Sequence, residues 1–168
     1  MKKLILVMGL PGSGKSFFAE RLALELGAKY LSSDRERNRL GNRDQYSPED
    51  KLKVYQHLKR LAKEALSKEN TVIIDATFYL QQMRDLFSNL AVDEGADVFY
   101  FNITADEELI RERLRQPRSD SQADFSVYEQ IKEMFEPFIM KVIVLESKKD
   151  NIAFLLEKAL DYIGHGEN

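Results

Sequence analysis

Apolar residues fall in two rhythms along this chain: short unbroken runs, and longer stretches in which they recur every three or four positions. The first run, LILVM at residues 4–8, leads into a stretch of helical spacing that ends at residue 26, where Gly27 supplies a stop. Residues 28–33 (AKYLSS) predict a short second strand that ends at Asp34. The segment that follows, SSDRERNRLGNRDQYSPED, is polar and has the character of a functional segment. Ser47 as N-cap, Pro48 at the first helical position and Asp50 three residues after Ser47 then open a helix. Leu52, Tyr55, Leu58, Ala62, Ala65 and Leu66 carry its spacing to about residue 68.

Residues 71–75 (TVIID) form the clearest internal strand, a β-branched run of the kind buried on both faces of a parallel sheet. A helix over about 80–94 precedes Gly95, and residues 97–103 (DVFYFNI) make a fourth strand. Thr104 with Glu107 reads as a capping box that starts a helix through about residue 115. Pro117 interrupts the arginine-rich segment RERLRQPRSDSQADF, which reads as a lid over about 111–124. A helix over about 123–135, a strand at 141–146 (KVIVLE) and a helix over about 149–163 complete the series, with Ser147 and Asp150 as the capping pair of the last helix. Strands alternating with helices predict an α/β protein, a parallel sheet covered on both faces by right-handed crossovers. No Pro/Gly/Ser-rich linker divides residues 1–163, so one domain is expected, with a flexible tail at 164–168.

Composition narrows the class. The 168 residues are 32% charged and 43% hydrophobic, with no run long enough to span a membrane. The N-terminal MKKLILVMGL runs into a glycine-rich loop instead of a cleavage site, so a cytoplasmic protein without a targeting signal is expected. Cysteine is absent, which excludes disulfides and thiolate metal sites, and His57 and His165 read as surface residues. A net charge of −3 argues against broad nucleic-acid binding, leaving room for a local basic patch that holds a strand end.

The chemistry concentrates between the first strand and first helix. Gly9, Gly14, Lys15 and Ser16 satisfy G-x-x-x-x-G-K-[ST], the phosphate-binding loop, in the strand-then-helix setting it needs. Gly9, Pro11, Gly12, Ser13, Gly14, Lys15 and Ser16 are the candidate nucleotide-binding residues. Backbone N–H groups turned inward, together with a helix N-terminus, make an anion site; Lys15 reaches the β- and γ-phosphates of ATP, and the Ser16 hydroxyl ligates Mg²⁺. Asp34, just past a strand's carboxyl end, is placed to accept a proton from an alcohol acceptor or to serve as a helix N-cap or surface turn carboxylate. For Asp75 the candidate roles are Mg²⁺ ligation, substrate hydrogen bonding and capping of the loop, and Thr77 stands beside it.

GLPGSGKS, SSDRERNRL, VIIDATF, RERLRQPRSDSQAD and FEP together resemble the small P-loop kinases related to polynucleotide 5′-hydroxyl kinase, a set that includes zeta toxins, chloramphenicol phosphotransferase and gluconate kinase. The likeness runs from about residue 4 to residue 146. It implies a P-loop NTPase three-layer sandwich with strand order 2-3-1-4-5 and an arginine-bearing lid. It also implies Lys15 and Ser16 on nucleotide phosphate and Mg²⁺, Asp34 as general base, Arg37 on a substrate phosphate, and lid arginines, here Arg113 and Arg118, around the transferring group. The acceptor that it implies is a hydroxyl of a small molecule or of a nucleic-acid 5′ end, and no obligate protein partner is expected.

Two rival classes are weaker. A GTPase switch would use SKKD at 147–150 to read guanine, but Ser147 is the wrong residue and no Asp-x-x-Gly follows an early strand. A regulatory ATPase module of the motor type would carry an acidic pair after the third strand, where this chain has Asp75-Ala76. Asp34 and the arginine lid also speak against an ATP-binding module that has no acceptor.

Overall fold

The computed structural model describes residues 1–41, 47–116 and 124–166. Five strands, β1 (Lys3–Met8), β2 (Lys29–Ser32), β3 (Thr71–Asp75), β4 (Asp97–Thr104) and β5 (Ile143–Glu146), form one all-parallel sheet in the order β2-β3-β1-β4-β5. The expected α/β P-loop kinase fold is therefore the observed one. Seven helices accompany the strands among the described residues: α1 (Lys15–Leu26), α2 (Ser33–Arg39), α3 (Pro48–Leu66), α4 (Gln81–Glu94), α5 (Glu107–Leu114), α6 (Phe125–Met134) and α7 (Ile152–His165).

The unbroken run of β1 is explained by two apolar layers. Leu4, Leu6 and Met8 pack with residues of α3 and α4, whereas Ile5 and Val7 pack with residues of α1 and α7. A central strand has no solvent face, so alternation disappears from its sequence. Register then sets the site. Val7 pairs with Asp75 and Ser32 pairs with Asp75, so β1, β3 and β2 deliver their carboxyl ends together.

Local signals account for most boundaries. Gly27 and Gly95 close α1 and α4 in the left-handed conformation, and Ser47 caps α3 by accepting from the Asp50 N–H at 3.2 Å. One helix is added to the expected elements and two capping expectations need correction. The polar segment after β2 is helical: α2 begins at Ser33, capped by Ser32, whose Oγ accepts from the Arg35 N–H at 3.3 Å. It is held by side-chain pairs, with Arg39 2.8 Å and His57 3.0 Å from the carboxylate of buried Glu36. Thr104 does not cap α5, whose N-cap is Asp106. Ser147 and Asp150 do not open α7 either; Asn151 does, accepting from the Lys148 N–H at 2.8 Å and donating to the Glu146 carbonyl at 2.9 Å.

Arg84 on α4 is fully buried and braces the wall of the site. It donates to the carbonyls of Phe78 (2.7 Å), Glu136 (2.7 Å) and Pro137 (3.0 Å), with the ring of Phe138 4.3 Å away. The segment that it fixes contains Phe78, a non-glycine residue at φ 52° whose N–H donates to the Tyr55 hydroxyl at 3.0 Å. Such a backbone persists only where its surroundings over-determine it. Arg84→Ala leaves several buried carbonyls without donors and is expected to cost about 3–5 kcal/mol, measured by denaturant unfolding.

Candidate active site

The loop between β1 and α1 needs glycine at two close approaches. Gly9 has φ 150° and a Cβ there would lie 2.5 Å from the Ile103 carbonyl oxygen; Gly14 has φ 94° and its Cβ would lie 2.8 Å from Ser147 Oγ. Gly14 is also the N-cap of α1, which has no side-chain cap and no acidic residue in its first turn. The unpaired N–H groups and positive dipole end therefore face the loop without a carboxylate from that turn. Pro11, Gly12 and Ser13 are buried within the loop, and Ser13 Oγ is a buried hydroxyl without a hydrogen-bond partner among the described residues. Donors of this kind around a turned-in backbone fit a polyphosphate.

Lys15 and Ser16 start α1 and face the end of β3. There Asp75 is 2% exposed and accepts a hydrogen bond from the Tyr30 hydroxyl of β2. Burial raises the Asp75 carboxyl above the ordinary carboxylate range, opposed first by the Lys15 ammonium and then by the hydroxyls of Tyr30 and Ser16, while Asp34 adds to the rise. Burial and the Asp75 charge push the Tyr30 hydroxyl upward in turn, so it stays a donor. A carboxylate next to the loop serine and lysine fits a hard divalent cation such as Mg²⁺. Thr77 lies two residues on, its carbonyl accepting from the Gly9 N–H at 3.4 Å and its Oγ1 3.3 Å from the Tyr55 hydroxyl.

Asp34 stands in the first turn of α2, and Arg37 one turn later donates to its Oδ1 at 2.8 Å. The helix sets this pairing, because residues three apart share a face. Both lie on the β2 side of the loop. On the other side, Arg113 at the end of α5 forks across two elements, donating to the Gly12 carbonyl at 3.1 Å and to Ser147 Oγ at 2.9 Å. This contact is what Ser147 does in place of capping α7. Arg111 instead lies 3.8 Å from the Phe125 ring and pairs with Glu107, so of these two arginines Arg113 is the one turned to the loop. Arg118 lies outside the described residues. A cleft of about 640 Å³ opens beside Gly14, Lys15, Ser16, Arg113, Ser147 and Lys148.

The fold therefore brings Lys15, Ser16, Asp34, Arg37 and Asp75 to one end of the sheet, with Arg113 bound to the loop itself. Tyr30, Tyr55 and Lys51 also belong to this neighbourhood and were not singled out by motif. Tyr30 and Tyr55 read as ordinary apolar-face residues; their hydroxyl contacts depend on elements distant in the chain.

Fold and loop define a P-loop protein of the kinase fold. The chain belongs to the AAA domain family, whose model matches residues 4–138. It is 33% identical over 124 residues to uncharacterized proteins of Mycobacterium tuberculosis (strain H37Rv) and Mycobacterium bovis, the match covering 67% of this chain and 25% of each relative. The chain thus spans about a quarter of the length of these curated relatives. Among solved structures it is similar to a sugar kinase from Janibacter sp. HTCC2649 (TM-score 0.75, 19% identity, 98% of this chain and 95% of that one). It is also similar to a gluconokinase from Sinorhizobium meliloti 1021 (TM-score 0.71, 16% identity, 98% and 92%). A third likeness is to the Mycobacterium tuberculosis APS kinase CysC in complex with AMPPNP and APS (TM-score 0.69, 22% identity, 97% of both chains). At these identities the likeness is one of fold.

Proposed function

We propose that the protein is an ATP- and Mg²⁺-dependent phosphotransferase that moves the γ-phosphoryl group of ATP to a hydroxyl of a small molecule or of a nucleic-acid 5′ end. The observation that carries this reading is the buried Asp75 carboxyl beside Lys15 and Ser16 of the loop, with Asp34 close enough to act on it. The backbone N–H groups of Gly12, Gly14, Lys15 and Ser16 and the Lys15 ammonium bind the phosphates, and Arg113 adds positive charge beside Gly12. Ser16 and Asp75 hold Mg²⁺, which when bound neutralises charge on the β- and γ-phosphates. Tyr30 fixes the orientation of Asp75 by donating to it. Asp34 accepts the proton of the alcohol as its oxygen forms the new bond to phosphorus and ADP departs with the old one. Arg37, and Thr77 beside the loop, border the acceptor. Arg118 is retained as a second lid arginine on the sequence resemblance alone.

The test is label transfer from γ-labelled ATP, with Mg²⁺, to a panel of sugars, sugar acids, nucleosides, aminoglycoside-like alcohols and 5′-hydroxyl oligonucleotides. Label is expected in one acceptor class. Release of free phosphate alone, unchanged by every alcohol offered, would overturn the phosphotransferase reading in favour of an ATPase module.

A further inference from the structure

The α2–α3 side of the site holds more buried positive charge than proton transfer needs. Lys51 is 8% exposed and sits at the start of α3, near the helix end whose dipole disfavours a cation. Its ammonium lies 4.9 Å from the centroid of the Tyr79 ring and makes no hydrogen bond or ion pair with any described residue. The acids of the same turn do not reach it: Glu49 is exposed and Asp50 bonds to Ser47. Burying an ammonium carries a desolvation cost that a ring contact returns only in part. A second cation, Arg37 at 7% exposure, stands close enough to press on Lys51, and also acts on the hydroxyls of Tyr55 and Tyr79. Burial first, and Arg37 second, lower the Lys51 ammonium from its ordinary value. Among the described residues, these two buried cations meet the Asp34 carboxylate here, while the buried Glu36 carboxylate is taken up by Arg39 and His57.

We infer that Lys51 joins Arg37, the position that the family resemblance already sets on a substrate phosphate, in an anion-binding corner of the acceptor site, and that the acceptor is a small alcohol carrying its own carboxylate or phosphate group. The anionic group lies against Lys51 beside Tyr79, and the hydroxyl faces Asp34. A bound anion supplies the countercharge that the protein withholds from Lys51, and it orients the alcohol relative to the loop. A buried ammonium matches a compact terminal anion better than the exposed backbone of an oligonucleotide. The assignment of the hydroxyl to Asp34 rests on the phosphotransferase reading; the anion corner itself does not.

The experiment titrates the full chain, loaded with Mg²⁺ and a non-hydrolysable ATP analogue, with matched anionic and neutral alcohols. Gluconate is compared with glucose, glycerate and glycerol 3-phosphate with glycerol, and a 5′-hydroxyl oligonucleotide is included. At least one anionic member is expected to bind about tenfold or more tightly than its neutral partner. Whether glycerate or glycerol 3-phosphate binds better tells carboxylate from phosphate. Lys51→Met should abolish the preference, leave the analogue's affinity in place and raise the melting temperature, because it removes a buried ammonium that lacks a countercharge, and Lys51→Arg should restore most of the preference. Lys51→Gln serves if the methionine disturbs α3. Equal binding of anionic and neutral members, a preference that survives Lys51→Met, or selection of the oligonucleotide instead would overturn the inference. A Lys51-dependent preference without label transfer to the preferred anion would keep the corner and sink the phosphotransferase reading. Label transfer to neutral alcohols with no anion preference would do the reverse.

Discussion

Asp34→Asn is expected to bind ATP as the wild type does and to transfer phosphate about 10²–10⁴-fold more slowly, the usual contribution of a positioned general base. The substitution is a clean one at this position. Asn keeps an oxygen that can accept the 2.8 Å hydrogen bond from Arg37, so the guanidinium stays placed while the proton acceptor is lost. Single-turnover transfer, measured with nucleotide affinity in parallel, separates the two effects. Transfer at the wild-type rate would mean that Asp34 is a turn carboxylate.

Lys15→Ala is expected to lower nucleotide-dependent turnover by about 10²–10³-fold, the scale of losing one preorganised donor to a charged oxygen. Its structural consequence is also defined. The Lys15 ammonium is the foremost influence holding the buried Asp75 carboxyl down, so its removal shifts that carboxyl further upward, while the Tyr30 and Ser16 hydroxyls remain. Far-UV circular dichroism should be unchanged, since the loop is shaped by its glycines and backbone. Unchanged turnover in Lys15→Ala would refute the assignment of the phosphate loop, and Lys15→Met, which keeps the aliphatic stem, checks that packing is not the cause of any loss.

Much of the architecture was legible because burial writes itself into the sequence where a strand has no solvent face. LILVM and TVIID are central strands and carry no polar interruption, and the glycine stops sit where left-handed backbone is needed. What escaped was polar structure. SDRERNR has no apolar stripe, so nothing in its periodicity announces α2, which is held by the Ser32 cap and by pairs such as Arg37 with Asp34 and Arg39 with Glu36. Lys51 and Arg84 escaped for a related reason: charged residues on an amphipathic helix are read as solvent-facing. Their positions carried a usable signal. Lys51 precedes Val54 and Tyr55 by three and four residues, and Arg84 precedes Phe87 by three, so both lie on the apolar faces of their helices. A charge on that stripe must be buried and needs partners, which Arg84 finds in four backbone carbonyls. Capping expectations at Thr104 and Ser147 failed because tertiary contacts claimed these segments first. The Thr104 carbonyl accepts from the Ser147 N–H at 2.7 Å, and Ser147 Oγ accepts from Arg113.

The strand order also has a consequence for inheritance. β1 is in the middle of the sheet, whereas β2 is at its edge and hands the chain directly to α2 and α3. Phosphate-loop residues and most of the residues proposed to face the acceptor thus come from separate stretches that meet only at their tips. On the proposed reading, positions of α2 and α3 around Arg37 and Lys51 can drift in sequence, and so change the molecule that is chosen, while Tyr30 of β2 and the phosphate loop keep the geometry of the donor half. A family built on this plan can diversify its choice of acceptor without reinventing its grip on the nucleotide.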